Sequence, residues 1–159
     1  MHIEEYKKKS LKPYHVLIAT SLALFRRYGA LNQGVVNISM KEVGRRLADI
    51  AVALMGGDVR GKSLPEAARL LNEMLDLNEE LLVEESGGRL IVKSRSEKCK
   101  VCPRRVGELE LPGSLCPYVG LFEGFLEELK GVELSVVDEK KPLEKVGEYC
   151  VIEYSVKSG

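Results

Sequence analysis

The sequence predicts an α+β domain: N-terminal helices packed on an antiparallel sheet of about four strands, with one further helix between two hairpins. Two observations lead there. Apolar residues recur at helical spacing through about residue 80, and from Leu81 the pattern switches to short β-type runs broken by Gly87-Gly88. The C-terminal stretch then returns once to helical spacing and ends in two more strand-like runs, a segregated order that favours an antiparallel sheet. Residues 1–159 read as a single domain, with a helical part over 1–80 and a hairpin, a cysteine-bearing loop, a helix and a second hairpin over 81–156.

Pro13 opens a helix that runs to about Tyr28, with Gly29 as its stop. Its apolar residues lie nearly all round, which predicts burial. In "SMKEVGRRLADIAVALMGG", Ser39 and Glu42 fit a capping box, and Val43, Leu47, Ile50 and Leu54 form one apolar stripe away from Lys41, Arg45, Arg46 and Asp49. "SLPEAARLLNEMLDL" repeats the device with Ser63 as cap, Glu66 reaching back and Pro65 in the first turn. "LLVEESGGRLIVKSRS" reads as a hairpin. "GSLCPYVGLFEGFLEELKG" reads as a helix ended by Gly131, and "VELSVVDE" and "GEYCVIEYSV" as strands separated by the turn-rich "KKPLEKVG".

Composition narrows the function classes. With 45% apolar and 30% charged residues the chain has the material for a packed core. Lys plus Arg equals Asp plus Glu at 24 each, so whole-surface attraction to nucleic acid is not expected. The charged lead "MHIEEYKKKS" precedes no signal-peptide pattern, and the most apolar run, Val16 to Phe25, stops at Arg26-Arg27, too short to cross a bilayer. The expectation is a soluble cytoplasmic protein without membrane insertion, in a reducing compartment where thiols serve metal or catalysis rather than structural disulfides.

Four cysteines carry the chemistry. Cys99 and Cys102 form C-x-x-C, a turn that brings two sulfurs to one tetrahedral ion, and Cys116 and Cys150 can complete the set if the fold converges. A zinc site of Cys99, Cys102, Cys116 and Cys150 is the leading reading. An iron–sulfur cluster lacks its usual spacing runs, and a thioredoxin-like redox pair at Cys99/Cys102 lacks the strand–helix context. Unrelated buried or free thiols are the plain alternative. Lys93, Arg95, Lys98, Lys100, Arg104 and Arg105 crowd this region against one acid, Glu97. Cations are favoured beside a thiolate-rich centre, and no aromatic residue lies among them to stack a base, so nucleic acid is the weaker reading.

The stretch "CKVCP…LCPYVGLFEGFL…VELSVVDEKKPLEKVGEYCVIEYSV" resembles the 4-vinyl-reductase-type domain of the NO-signalling/TRAPP-like ligand-binding fold, over residues 90 to 156. Cys116, Gly120, Gly124 and Cys150 carry the likeness. The resemblance implies a small-molecule sensor or accessory domain, of the kind called hydrocarbon-binding, with zinc near a ligand chamber. Where related domains use a carboxylate and a further cysteine in the final hairpin, this chain has Glu139 and Pro142. Pro142 cannot ligate, so Cys99 and Cys102 are expected to take over.

Other signals are weaker. Gly56 to Ser63, "GGDVRGKS", satisfies the phosphate-loop spacing G-x-x-x-x-G-K-[ST], but that loop needs a preceding strand, whereas "EVGRRLADIAVALM" has helical spacing. Gly120 and Gly124 put bare backbone on one helical face for close packing, within the chain or across a homodimer. His15 reads as a structural histidine or a pocket donor. Phe25, Tyr28, Phe122 and Phe125 read as core or chamber lining. The chain has two histidines and neither G-x-S-x-G nor H-E-x-x-H, which leaves little material for a histidine-based active site. The expected protein is therefore a zinc-containing domain binding a small apolar molecule, leaning away from enzyme activity. The alternatives are a nucleotide-binding enzyme using Gly56–Ser63 and a redox protein using Cys99/Cys102.

Overall fold

The computed structural model describes residues 3–159, which form five α-helices and a five-stranded antiparallel sheet. The helices are α1 (Ile3–Lys8), α2 (Pro13–Arg27), α3 (Gln33–Met55), α4 (Leu64–Leu75) and α5 (Tyr118–Lys130). The strands are β1 (Leu81–Ser86), β2 (Arg89–Arg95), β3 (Val132–Val136), β4 (Glu144–Val146) and β5 (Tyr149–Ser158). The α+β expectation holds. Two short elements were not expected: α1 in the charged lead, and β4 inside the segment read as a turn. Among the described residues no helix is long and apolar enough to cross a membrane.

The strand order is β1-β2-β5-β3, with β4 also on β5. The ten-residue β5 is the sheet's spine: β2 runs along one edge, while β4 pairs with its first three residues and β3 with its last five on the other. Alternation along β2 and β5 turns Leu90, Val92, Ile152 and Tyr154 into the core. Helix α5 supplies Phe122, Phe125 and Leu126 to the same core, all fully buried, so the two phenylalanines are packing residues. Phe25 on α2 and Tyr28 at its C-cap, by contrast, lie exposed.

Three local expectations are corrected. Helix α3 begins at Gln33, because Asn32 caps it by accepting the Val35 N–H at 3.0 Å. Ser39 therefore lies within the helix, and Glu42 pairs with Arg46 at 3.0 Å instead of closing a capping box. Of the stripe Val43, Leu47, Ile50 and Leu54, only Leu47 packs against the core; Leu54 is 78% exposed and Ile50 45%. Small residues take the inner face instead: Gly44, Ala48 and Ala51. Helix α2 is likewise not buried all round; it buries His15, Ala19, Leu22 and Ala23 and leaves Leu17 and Tyr28 in solvent. The capping box at Ser63/Glu66 forms as expected.

The reason for α3's small inner face is its approach to α5. A Cβ on Gly120 would stand 2.1 Å from the Asn37 carbonyl oxygen, and one on Gly124 would stand 1.9 Å from that of Lys41. From the other side, a Cβ on Gly44 would meet the Leu121 carbonyl oxygen at 2.3 Å. The glycine pair thus serves an intrachain helix contact, not an interface between copies. Lys41 crosses this seam to Glu123 at 2.5 Å and Glu127 at 2.9 Å.

Gly57–Gly61 forms a 3-10 turn between α3 and α4. No strand leads into it, so the cradle of converging N–H groups that phosphate binding requires is missing.

Candidate metal centre

Each cysteine reaches the site on a different support. Cys99 follows β2 through the 3-10 turn Ser96–Lys98 and bridges to Asn78. Asn78 is itself braced: its backbone N–H donates to Asn72 Oδ1 at 3.0 Å, and its side-chain amide donates to the Arg95 carbonyl at 3.0 Å. Cys102 begins a tight turn in which its carbonyl accepts the Val106 N–H at 2.8 Å. Cys116 stands immediately before Pro117, the N-cap of α5. Cys150 lies in β5 in one cross-strand row, Ser94–Cys150–Lys145, whose members share a sheet face.

All four cysteines line a single cavity of about 250 Å³. Its remaining walls include Pro103, Leu109, Leu115 and Leu143, with Arg104 and Lys145 also at the lining. The thiols are free, and their charges act on one another: Cys102 and Cys116 on Cys99, Cys102 and Cys150 on Cys116, and Cys102 on Cys150. Among the described residues no three His, Cys, Asp or Glu side chains meet the geometry of a preformed metal-binding group.

The electrostatics divide the set. The Cys99 thiol donates to the Tyr118 hydroxyl at 3.2 Å. Cys102 is lowered to about 6 by Cys99 beside it, with the backbone N–H groups of Arg105 and Arg104 adding to the shift. Cys102 in turn, with burial, pushes Cys99 well up. Burial raises Cys116, although the N–H groups of Tyr118 and Val119 point at its sulfur from the first turn of α5. Burial also raises Cys150.

Cys102-Pro103-Arg104-Arg105 and Cys116-Pro117-Tyr118-Val119 therefore do the same thing. In each, proline follows the cysteine, and the next two backbone N–H groups act to lower the thiol's pKa. Tyr118 is a further residue that sequence reasoning missed. Its hydroxyl donates to the Leu77 carbonyl at 2.9 Å and stands 3.2 Å from Cys99 Sγ.

The basic cluster plays a smaller part than its density suggested. Lys93 pairs with Glu84, Lys98 with Glu79, Arg95 with Glu80 and Glu148, and the buried Lys100 with Asp76. Arg104 holds the carbonyls of Leu111 and Gly113 at 2.9 and 2.7 Å. Arg105 and Lys145 are the cations that act on the cysteines. Glu139 and Pro142 lie outside the lining of the cysteine cavity. His15 is structural: its Nδ1 accepts the Lys12 N–H at 2.9 Å, so Nε2 carries the proton and donates to the Leu75 carbonyl at 3.1 Å.

The model of the MJ0207 family matches residues 29–156, from the loop before α3 into the last residues of β5, including every cysteine. The chain belongs to the MJ0207 family. It is 30% identical over 145 residues to uncharacterized protein MJ0207 of Methanocaldococcus jannaschii, spanning 91% of this chain and 89% of that protein. A shorter likeness, 38% over 56 residues, covers 34% of this chain and 49% of uncharacterized protein MJ1342 of the same organism. The MJ0207 family match leaves out α1 and α2 but takes in the whole α3–α5 seam and the sheet.

Proposed function

We propose that this protein is a cytoplasmic, zinc-containing domain that binds a small apolar molecule and acts as a homodimer. One observation carries the reading: four cysteines from a loop, a helix start and a strand line one cavity. The donor set suits the ion. It is all sulfur, soft, and backed by N–H groups that stabilise thiolate. Cys99, Cys102, Cys116 and Cys150 would hold the zinc, which would tie β2's end, the loop, α5 and β5 together. With four thiolates bound, the ion keeps no place for water, so hydrolysis is disfavoured.

The apolar walls at Leu109, Leu115 and Leu143 support the ligand reading, each Å² of ligand surface buried contributing about 25 cal/mol. The resemblance of residues 90–156 to the 4-vinyl-reductase-type domain points the same way. For the homodimer, the outward stripe of Val43, Ile50 and Leu54 on α3 is the surface that a second copy would cover.

Metal analysis of the purified protein tests the reading; about one zinc per chain is expected for a single tetrahedral centre. Native mass spectrometry should show a co-purified apolar molecule. Absence of zinc together with a Cys99–Cys102 disulfide would overturn it in favour of the redox reading, which the lowered Cys102 thiol beside Cys99 supports.

A further inference from the structure

We infer, on the small-molecule reading above, that the cysteine cavity takes an organic acid: an apolar body of one ring or a short chain, with a carboxylate at the mouth held by Lys145 and Arg104. The lining is segregated. Pro103, Leu109, Leu115 and Tyr118 are buried and form the floor, whereas Arg104, Ser114 and Lys145 are exposed and form the rim. Among the described residues no Asp or Glu lines the cavity. The floor is therefore apolar and the rim cationic, a division that an amphipathic anion matches.

The two rim cations differ from their neighbours. Lys93, Arg95, Lys98 and Lys100 each meet a carboxylate, whereas among the described residues Lys145 and Arg104 meet none. Lys145 lies on β4 opposite Cys150, on the face of the sheet that lines the cavity. Arg104 holds the Leu111 and Gly113 carbonyls with one terminal nitrogen, and because both partners are neutral its charge stays uncompensated. A carboxylate between these side chains would accept charge-assisted hydrogen bonds beside low-dielectric walls, where such bonds are stronger than in open water. An uncharged ligand of the same shape would leave both cations unanswered. The cavity of about 250 Å³ falls just under the roughly 300–1,000 Å³ of sites for drug-sized ligands, which limits the body to a single ring or a short chain.

Calorimetric titration of the full chain with hydrocinnamic acid and with hydrocinnamyl alcohol tests this. The pair shares one body and differs in charge, since the acid is ionised near neutral pH. The acid should bind about tenfold tighter or more, the effect of one charge-assisted hydrogen bond. Lys145→Gln should lower the acid's affinity about tenfold and leave the alcohol's unchanged. The Lys145 side chain is exposed, so its replacement leaves the fold alone. Lys141→Gln, in the loop before β4 and outside the lining, should change neither affinity. Equal affinity for acid and alcohol, or an acid affinity that Lys145→Gln does not alter, would overturn the inference while the small-molecule reading stands. So would a Lys145→Gln chain that loses zinc and binds both compounds more weakly, because Lys145 would then serve the cysteine centre. Binding of neither compound would overturn both.

Discussion

Gln33 grips Cys116 across 83 residues of sequence by both backbone groups: its Oε1 accepts the Cys116 N–H at 2.8 Å, and its Nε2 donates to the Cys116 carbonyl at 3.0 Å. The same Oε1 accepts the Ser114 hydroxyl at 2.7 Å. The first residue of α3 thus sets where the residue before α5 presents its sulfur.

Replacing Gln33 with alanine should leave those two peptide groups without their partner, at a cost of about 1–3 kcal/mol. In a domain of this size that is a fall in melting temperature of roughly 5 °C. Gln33→Glu keeps the acceptor and loses the donor, so it should fall between. Unchanged melting in Gln33→Ala would show that the clamp contributes nothing.

At the α3–α5 seam, Gly120→Ala and Gly124→Ala should each destabilise by about 3 kcal/mol or more, because the new methyl meets backbone that has no rotamer to yield. Gly57→Ala, with nothing within 4 Å of the added Cβ, is the control and should be neutral. Chemical denaturation of the three variants checks the contrast.

Lys100 is buried and meets Asp76 at 2.7 Å; this bond holds the Asp76 carboxyl below its usual range. A depressed carboxylate contributes stability above its unfolded value, near 3.8, and that contribution is lost as pH falls through the folded value. Asp76→Asn, which still tolerates the left-handed φ of 49°, should therefore be less stable by about 1–2 kcal/mol near neutral pH. It should converge on wild type as the pH falls through the lowered folded value of Asp76. Parallel stability curves across that range would refute the assignment.

Tyr118→Phe keeps the ring, whose edge packs on Phe122 at 5.6 Å, and removes the hydroxyl between Cys99 and the Leu77 carbonyl. Zinc affinity, measured by chelator competition, should drop about tenfold if the hydroxyl orients Cys99. A change in melting temperature with zinc affinity intact would confine Tyr118 to a packing role.

For the second copy, sedimentation should give a dimer mass, and Ile50→Glu with Leu54→Glu should give monomers of unchanged circular dichroism. A wild-type monomer would remove this part of the proposal.

The periodicity switch at Leu81 made the fold class legible, because strand and helix patterns differ over windows longer than a turn. The inner face of α3 was not. Its most apolar stripe lies outside, since a helix pressed against another's backbone is selected for small size rather than hydrophobicity. The start of α3 was missed because Ser39 and Glu42 have the spacing of a capping box, while the cap that forms is Asn32, two turns earlier. The cysteines were legible as types and spacings. Gln33 and Tyr118 were not, because each acts through a contact far away in sequence.

At the seam where Gly44, Gly120 and Gly124 set main chain on main chain, no side chain can swing to absorb a displacement. Helices α3 and α5 are therefore locked into one unit, with Gln33 and Cys116 at its end. The sheet that carries Cys150 is fastened to that unit in turn, since the Tyr154 hydroxyl of β5 donates to the Val119 carbonyl of α5 at 2.6 Å. The walls of the cysteine chamber are thus set by main chain rather than by side-chain rotamers.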